Sequence, residues 1–202
     1  MPNPQSVFQT NIHDADALGV LYTFLNAHVA APVSYDDLLR SRFVYAVSAF
    51  DKLIHDLVRI GMNEIFSGKR PATPKYLAEP IPLSFVLQLT SNLGTPPEVV
   101  FEQIVTTKLR TLTFQDPEKV SDGLSYIWNE AHKWKRIAGE MGKQENAVRT
   151  QLKLIVSRRN AIVHEADTDP ITHQKLAITK IETDEVSTFL SDAGRAICRL
   201  VL

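Results

Sequence analysis

The sequence predicts an all-α protein, a bundle of amphipathic helices forming a single domain over residues 1–202. Apolar residues recur at helical spacing along several segments, and no segment supplies a convincing sheet. The chain is also the right size. Its 202 residues, 44% hydrophobic and 22% charged, suit one sizeable core with an ordinary globular surface.

Leu18, Leu21, Tyr22 and Leu25 give the first helix, with Asp14 as its expected N-cap; residues 1–33 are expected to form an N-terminal extension carrying it. Ser34 is the expected cap of the second helix, with Asp37 three residues on resembling a capping box. Leu39, Phe43, Val47, Phe50, Ile54, Leu57, Val58 and Ile65 trace a stripe wide enough to face a core, which makes this the longest helix. It stops near Ser67-Gly68. Pro71, Pro74, Pro80 and Pro82 then mark residues 67–97 as a long Pro-rich connection inserted in the bundle. Within it, Ser84 to Leu93 is apolar and helical, ending at Gly94. Thr95-Pro96-Pro97-Glu98 opens a helix backed by Val99, Val100, Ile104 and Leu109.

After Asp116-Pro117 a helix is predicted from Ser121, carrying Leu124, Ile127, Trp128 and Trp134 and bracketed at its end by Gly139 and Gly142. Gln144 to about Glu165 forms the next, through Val148, Leu152, Ile155, Val156, Ile162 and Val163, with Asp169-Pro170 as its stop. Lys175 to Ile181 alternates enough for a short strand or extended link. Thr183 caps the last predicted helix, which lines Val186, Phe189, Leu190, Ala193, Ile197 and Leu200 along one face.

Composition narrows the classes of function. The single cysteine, Cys198, excludes an intramolecular disulfide framework and suits a reducing cytoplasm; beside Ile197 it is expected to be a small core residue. Met1-Pro2-Asn3-Pro4 has no basic region ahead of the stretch Ala17 to Ala31, which carries Asn26 and His28 and is too short to span a bilayer, so neither a signal peptide nor a membrane span is expected, and the expected location is cytoplasmic. His13, His28 and His173 lack companions at zinc spacing, and there is no Gly-rich phosphate loop, so neither a metal nor another cofactor is expected. The formal net charge of −1 gives no global attraction to nucleic acid. Locally, however, Lys133, Lys135, Arg136, Lys143, Arg149, Lys153, Arg158 and Arg159 face only Glu140 and Glu145 across residues 131–160. A solvated helical surface explains that excess as readily as an RNA contact does.

Inside this basic stretch, Arg159-Asn160-Ala161-Ile162-Val163-His164 places a permanent cation, an amide and a titratable imidazole within about one and a half helical turns. Arg offers a planar fork of donors to a phosphate, and His moves protons near neutral pH. Metal-free RNA cleavage needs those two functions, because the ribose 2′-hydroxyl is its own nucleophile. His supplies proton transfer and Arg balances the charge that builds on phosphorus. Asn160 and His164 nearly stack on one face, whereas Arg159 and His164 differ by about 140° around the helix. Two copies meeting across a two-fold axis would bring the Arg159 of one to the His164 of the other, so the motif makes better physical sense in a dimer. The plainer alternatives are a surface pair between Arg159 and Glu165, and a helix-terminal histidine favoured by the dipole.

The stretch Ser157-Arg158-Arg159-Asn160-Ala161-Ile162-Val163-His164-Glu165 resembles the signature of the HEPN family, an Arg separated by four to six residues from a His, commonly with a polar residue after the Arg. A second segment, Arg40-Ser41-Arg42-Phe43-Val44-Tyr45-Ala46-Val47-Ser48-Ala49-Phe50-Asp51-Lys52-Leu53-Ile54-His55-Asp56-Leu57-Val58, looks like the opening helix of the RiboL-PSP type of HEPN domain. The resemblance spans roughly Tyr35 to Leu202. It implies a dimeric all-α bundle whose two motifs share a cleft and which cuts RNA without metal, often in toxin–antitoxin, abortive-infection or antiphage systems. An antitoxin or defence-complex partner is then expected. Carried over by position, Arg159 binds the phosphate, Asn160 supports it and His164 transfers the proton. Some relatives only bind nucleotides or partners, so a silent helical module that binds RNA, a nucleotide or a protein is the alternative.

Asp51 is a candidate to orient Arg159 or His164, against the alternative of an intrahelical pair with His55 worth about 0.2–0.5 kcal/mol. Arg158, Lys153 and Arg149 are candidates for the RNA backbone, against solvated surface charge. His132, Lys133, Trp134, Lys135 and Arg136 combine basic and aromatic groups as single-stranded RNA contacts do, although Trp128 and Trp134 fit a core or interface better.

Overall fold

The computed structural model describes residues 3–90 and 94–202. Among them the chain forms α1 (Pro4–His28), α2 (Asp36–Phe66), α3 (Pro74–Leu77), α4 (Leu83–Thr90), α5 (Pro97–Leu109), α6 (Pro117–Leu124), α7 (Lys133–Glu140), α8 (Glu145–His164) and α9 (Lys180–Val201). The described residues hold no strand; their isolated β-type pairing is an antiparallel bridge between Thr168 and Lys175. The fold is all-α, as the periodicity predicts. None of the described helices is long and apolar enough to cross a membrane.

α2 is the axis of the bundle, and α1, α5, α6, α8 and α9 pack around it. Asp36 and Asp37 in its first turn complement the positive end of the helix dipole. Its predicted stripe is buried from Leu39 to Ile65, with Phe50, Ile54 and Val58 fully enclosed. The helix stops where Gly68 takes a left-handed φ of 73°, which lets Gly68 N–H reach Ile65 O at 3.0 Å and Lys69 N–H reach Glu64 O at 2.8 Å. Gly142 closes α7 in the same way (φ 65°) and turns the chain into α8.

Several boundaries differ from the sequence expectation. α1 begins at Pro4, ten residues before Asp14, because Asn3 accepts Gln5 N–H at 2.8 Å and Pro4 occupies the first turn. Its core face is Phe8, Ile12, Ala15 and Gly19, while Leu21 is exposed. The N-terminal helix therefore lies within the main core, against α2 and α9. Tyr35 is the N-cap position of α2, and Ser34 accepts Asp36 N–H at 3.1 Å. The Pro-rich connection contains α3 and α4; the predicted end of the second of these, at Leu93, lies outside the described residues.

The single helix expected from Ser121 is two, α6 and α7. Asp116 caps α6 through Glu118 N–H at 2.8 Å, and the chain leaves helical geometry after Leu124. Buried Tyr126 and Ile127 pack from that irregular segment. α8 keeps its expected span, with Gln144 and Glu165 at its cap positions, although the chain leaves the helix before reaching Asp169-Pro170. Residues 175–179 are an extended link, and Thr179 rather than Thr183 caps α9, accepting Glu182 N–H at 3.1 Å. Thr183 is buried one turn inside, where its hydroxyl accepts from Arg42 at 3.2 Å. Arg42 also binds Asp16 at 2.7 Å and Asp184, joining α1, α2 and α9.

Candidate functional site

α8 presents two faces. Val148, Leu152 and Ile155 are buried against the bundle, and at about 100° per residue Arg159 continues the same stripe. Arg149, Lys153, Asn160 and His164 fall on a second strip, within about 60° of one another. Asn160, Lys153 and His164 are exposed there, while Arg159 is half-buried. The three motif residues therefore share one helix end but start from different faces.

Arg159 is held by its neighbour. Its Nη1 donates to Asn160 Oδ1 at 3.1 Å, which holds the fork beside that exposed amide. Its Nε is buried and has no hydrogen-bond partner. No carboxylate pairs with it, Glu165 included. Among the described residues the other arginine without an ion pair is Arg110, which is exposed to solvent. A guanidinium at the rim with no carboxylate partner keeps its donor fork available to an anionic ligand. The His164 ring has no hydrogen bond in the described structure and stands exposed at the end of α8.

The neighbouring Arg158 has a different environment. Its Nη1 lies 2.9 Å from Asp167 Oδ1, and its Nη2 donates to Asp167 Oδ2 at 3.1 Å and to Ala177 O at 2.9 Å. Arg40 meets the same carboxylate from α2, with Nε 2.8 Å from Asp167 Oδ2, and donates to Leu176 O at 2.6 Å. Asp167 is fully enclosed, at 0% exposure. The composition gives no sign of this cluster, but Arg40 does. It sits three residues before Phe43 and seven before Val47 on the apolar phase of α2, where a cation requires a buried partner.

The remaining candidates are dispersed. Arg149 is engaged by Glu118 and, at 3.4 Å, by Glu145; Lys153 is exposed, 4.0 Å from Glu118. Asp51 accepts the Phe114 N–H and a 3.3 Å bond from Gln115 Nε2, with His55 Nε2 3.7 Å away. It thus fastens the link between α5 and α6, and none of its bonds goes to α8. Trp134 is buried and donates to Pro117 O at 2.8 Å. Lys133 is buried as well, donating to Glu130 O at 2.6 Å, and burial lowers its pKa. His132, Lys135 and Arg136 are exposed. Among the described residues no group of three or more His, Cys, Asp or Glu is arranged to hold a metal ion.

A shallow depression adjoins the C-terminal end of α8. Ser41, Val44 and Tyr45 of α2 face Ile162 and Ala166 across it, and Tyr45 is exposed. It offers an aromatic surface beside the motif helix.

A family model described as RiboL-PSP-HEPN matches residues 10–201. No curated protein and no solved structure matches the chain.

Proposed function

The chain belongs to the RiboL-PSP-HEPN family, and from that premise we propose that it is a metal-independent endoribonuclease. The observation that carries this is Arg159, a half-buried guanidinium without a carboxylate, bonded to Asn160 on the helix end that also presents the exposed His164. A phosphodiester supplies the missing counter-charge. Arg159 holds the scissile phosphate and balances the negative charge that grows on it. The ribose 2′-hydroxyl attacks the adjacent phosphorus, the bond to the 5′-oxygen breaks, and His164 serves in proton transfer. The products are a 2′,3′-cyclic phosphate and a free 5′-hydroxyl.

Lys153 extends the same exposed strip and is the better placed of the basic neighbours to meet the RNA backbone. Tyr45 provides a surface on which a flanking base stacks. In this reading the protein works as a homodimer across α8, with the Arg159 of one protomer serving the His164 of the other. Its setting is toxin–antitoxin, abortive-infection or antiphage defence in the cytoplasm, with an antitoxin or defence-complex partner restraining it. That part rests on the family alone.

Incubation with RNA in excess EDTA tests the activity. The wild type is expected to cut, leaving cyclic-phosphate ends. Arg159→Ala and His164→Ala are expected to lose roughly 10²-fold or more of the rate. Cleavage that survives both substitutions, or that EDTA abolishes, rejects the proposed site. A module that binds RNA without cutting it is the second reading, favoured by one observation: nothing in the described structure orients the His164 ring. RNA binding with no cleavage across varied RNAs selects it.

A further inference from the structure

Arg158 and Arg159 are chemically identical neighbours, and helix geometry alone does not choose between them. Arg158 lies about 120° from His164 one way round α8, and Arg159 about 140° the other way. We propose that Asp167 makes the choice. It is a positioning residue that withdraws Arg158 from RNA and straps down the loop after α8, leaving Arg159 as the arginine that meets phosphate; the phosphate half of this statement rests on the ribonuclease reading above.

Asp167 is built for that task. It is wholly enclosed and sits at φ 56°, a left-handed position that Asp adopts more readily than most residues, beside Ala166 at φ 53°, where alanine is uncommon. The turn bonds Asp167 N–H to Ala161 O at 3.0 Å and so holds the last turn of α8, while Asp167 O accepts Leu176 N–H at 2.8 Å. Its carboxylate then takes the guanidinium of Arg158 from α8 and that of Arg40 from α2. Those forks also bind Ala177 O and Leu176 O, so the two sides of the loop are drawn together over one buried charge. Lys175 adds an outer tie to Asp37 at 2.8 Å. With Arg158 so occupied, the cation left without a carboxylate at this end of α8 is Arg159.

The salt dependence of RNA binding separates the two arginines. The full chain is titrated with a mixed-sequence 2′-O-methyl oligonucleotide, which lacks the attacking hydroxyl, over a range of salt concentrations. Each phosphate contact contributes about 0.7 to the slope of log K against log salt. Arg159→Met is expected to reduce the slope by about that amount, and Arg158→Met to leave it unchanged. Asp167→Asn is expected to raise it by a similar amount as Arg158 is released, while kcat on cleavable RNA falls roughly tenfold or more without a rise in KM. A residue that only stabilised the fold would not raise the slope. An Arg158→Met slope reduced as much as that of Arg159→Met overturns the proposal.

If the wild type binds no oligonucleotide, the ribonuclease reading fails and amide exchange judges the strap by itself. Asp167→Asn is expected to lose protection across residues 165–179 while α9 keeps its own; unchanged protection there overturns it. Should Asp167→Asn not fold, the comparison of Arg158→Met with Arg159→Met decides the phosphate half. Loosening around Ala177 in Arg158→Met then decides the strap.

Discussion

Asn160 sets the reach of Arg159. Without its amide oxygen the fork has no described partner to hold it in place. Asn160→Ala is therefore expected to lower kcat by up to about 10²-fold with a small change in KM, as a displacement of about 1 Å does in a positioned site. Unchanged steady-state kinetics would remove Asn160 from the account. Cys198 shows the opposite kind of residue. Burial pushes its thiol up to about 11, so little thiolate exists near neutrality. It is expected to resist a disulfide-exchange reagent at pH 8 in the native protein and to react once the chain unfolds; rapid native labelling would contradict its burial. The motif was legible in sequence because Arg159, Asn160 and His164 are local. Asp167 was not legible, because its meaning comes from Arg40, 127 positions away.

At the scale of elements, the long amphipathic α2 and the cap-to-stop span of α8 followed from periodicity, since each buries a continuous stripe. The break between α6 and α7 did not. Trp128 and Trp134 continue an apolar pattern, yet Tyr126 and Ile127 enter the core from irregular backbone, where helical phase carries no information. The joint of α1, α2 and α9 depends on Arg42 and its acids. Burial acts to raise the Asp184 carboxyl, but the hydrogen bonds from Lys180 and Arg42 outweigh it and hold it below its ordinary value. A carboxyl lowered in the folded state adds stability above its unfolded pKa, and that contribution disappears as pH falls through the folded value. Acid titration should thus lower the unfolding midpoint below roughly pH 4, and Asp184→Asn should flatten that fall. An equally steep fall in the variant would place the acid sensitivity elsewhere.

The same joint is tightly packed at Gly194 of α9, where an added Cβ would overlap the Phe8 ring and touch Leu53. Gly194→Ala is expected to destabilise the fold. Overpacking costs about 1–3 kcal/mol and is offset only in part by the roughly 1 kcal/mol that alanine gains over glycine in a helix. A rise in the thermal midpoint would show that α1 yields at that contact.

For the whole molecule, one core supports a motif that lies on its rim. Arg159 and His164 start from faces of α8 that no rotation of a single helix superimposes, so a second copy is the economical way to complete the cleft. Co-expression of Arg159→Ala with His164→Ala tests this most directly. If each cleft takes its arginine from one protomer and its histidine from the other, the mixed dimer keeps one intact cleft, and the mixture recovers roughly a quarter of wild-type cleavage although each variant alone is inactive. No recovery, with mixed dimers demonstrably present, would contradict the shared cleft.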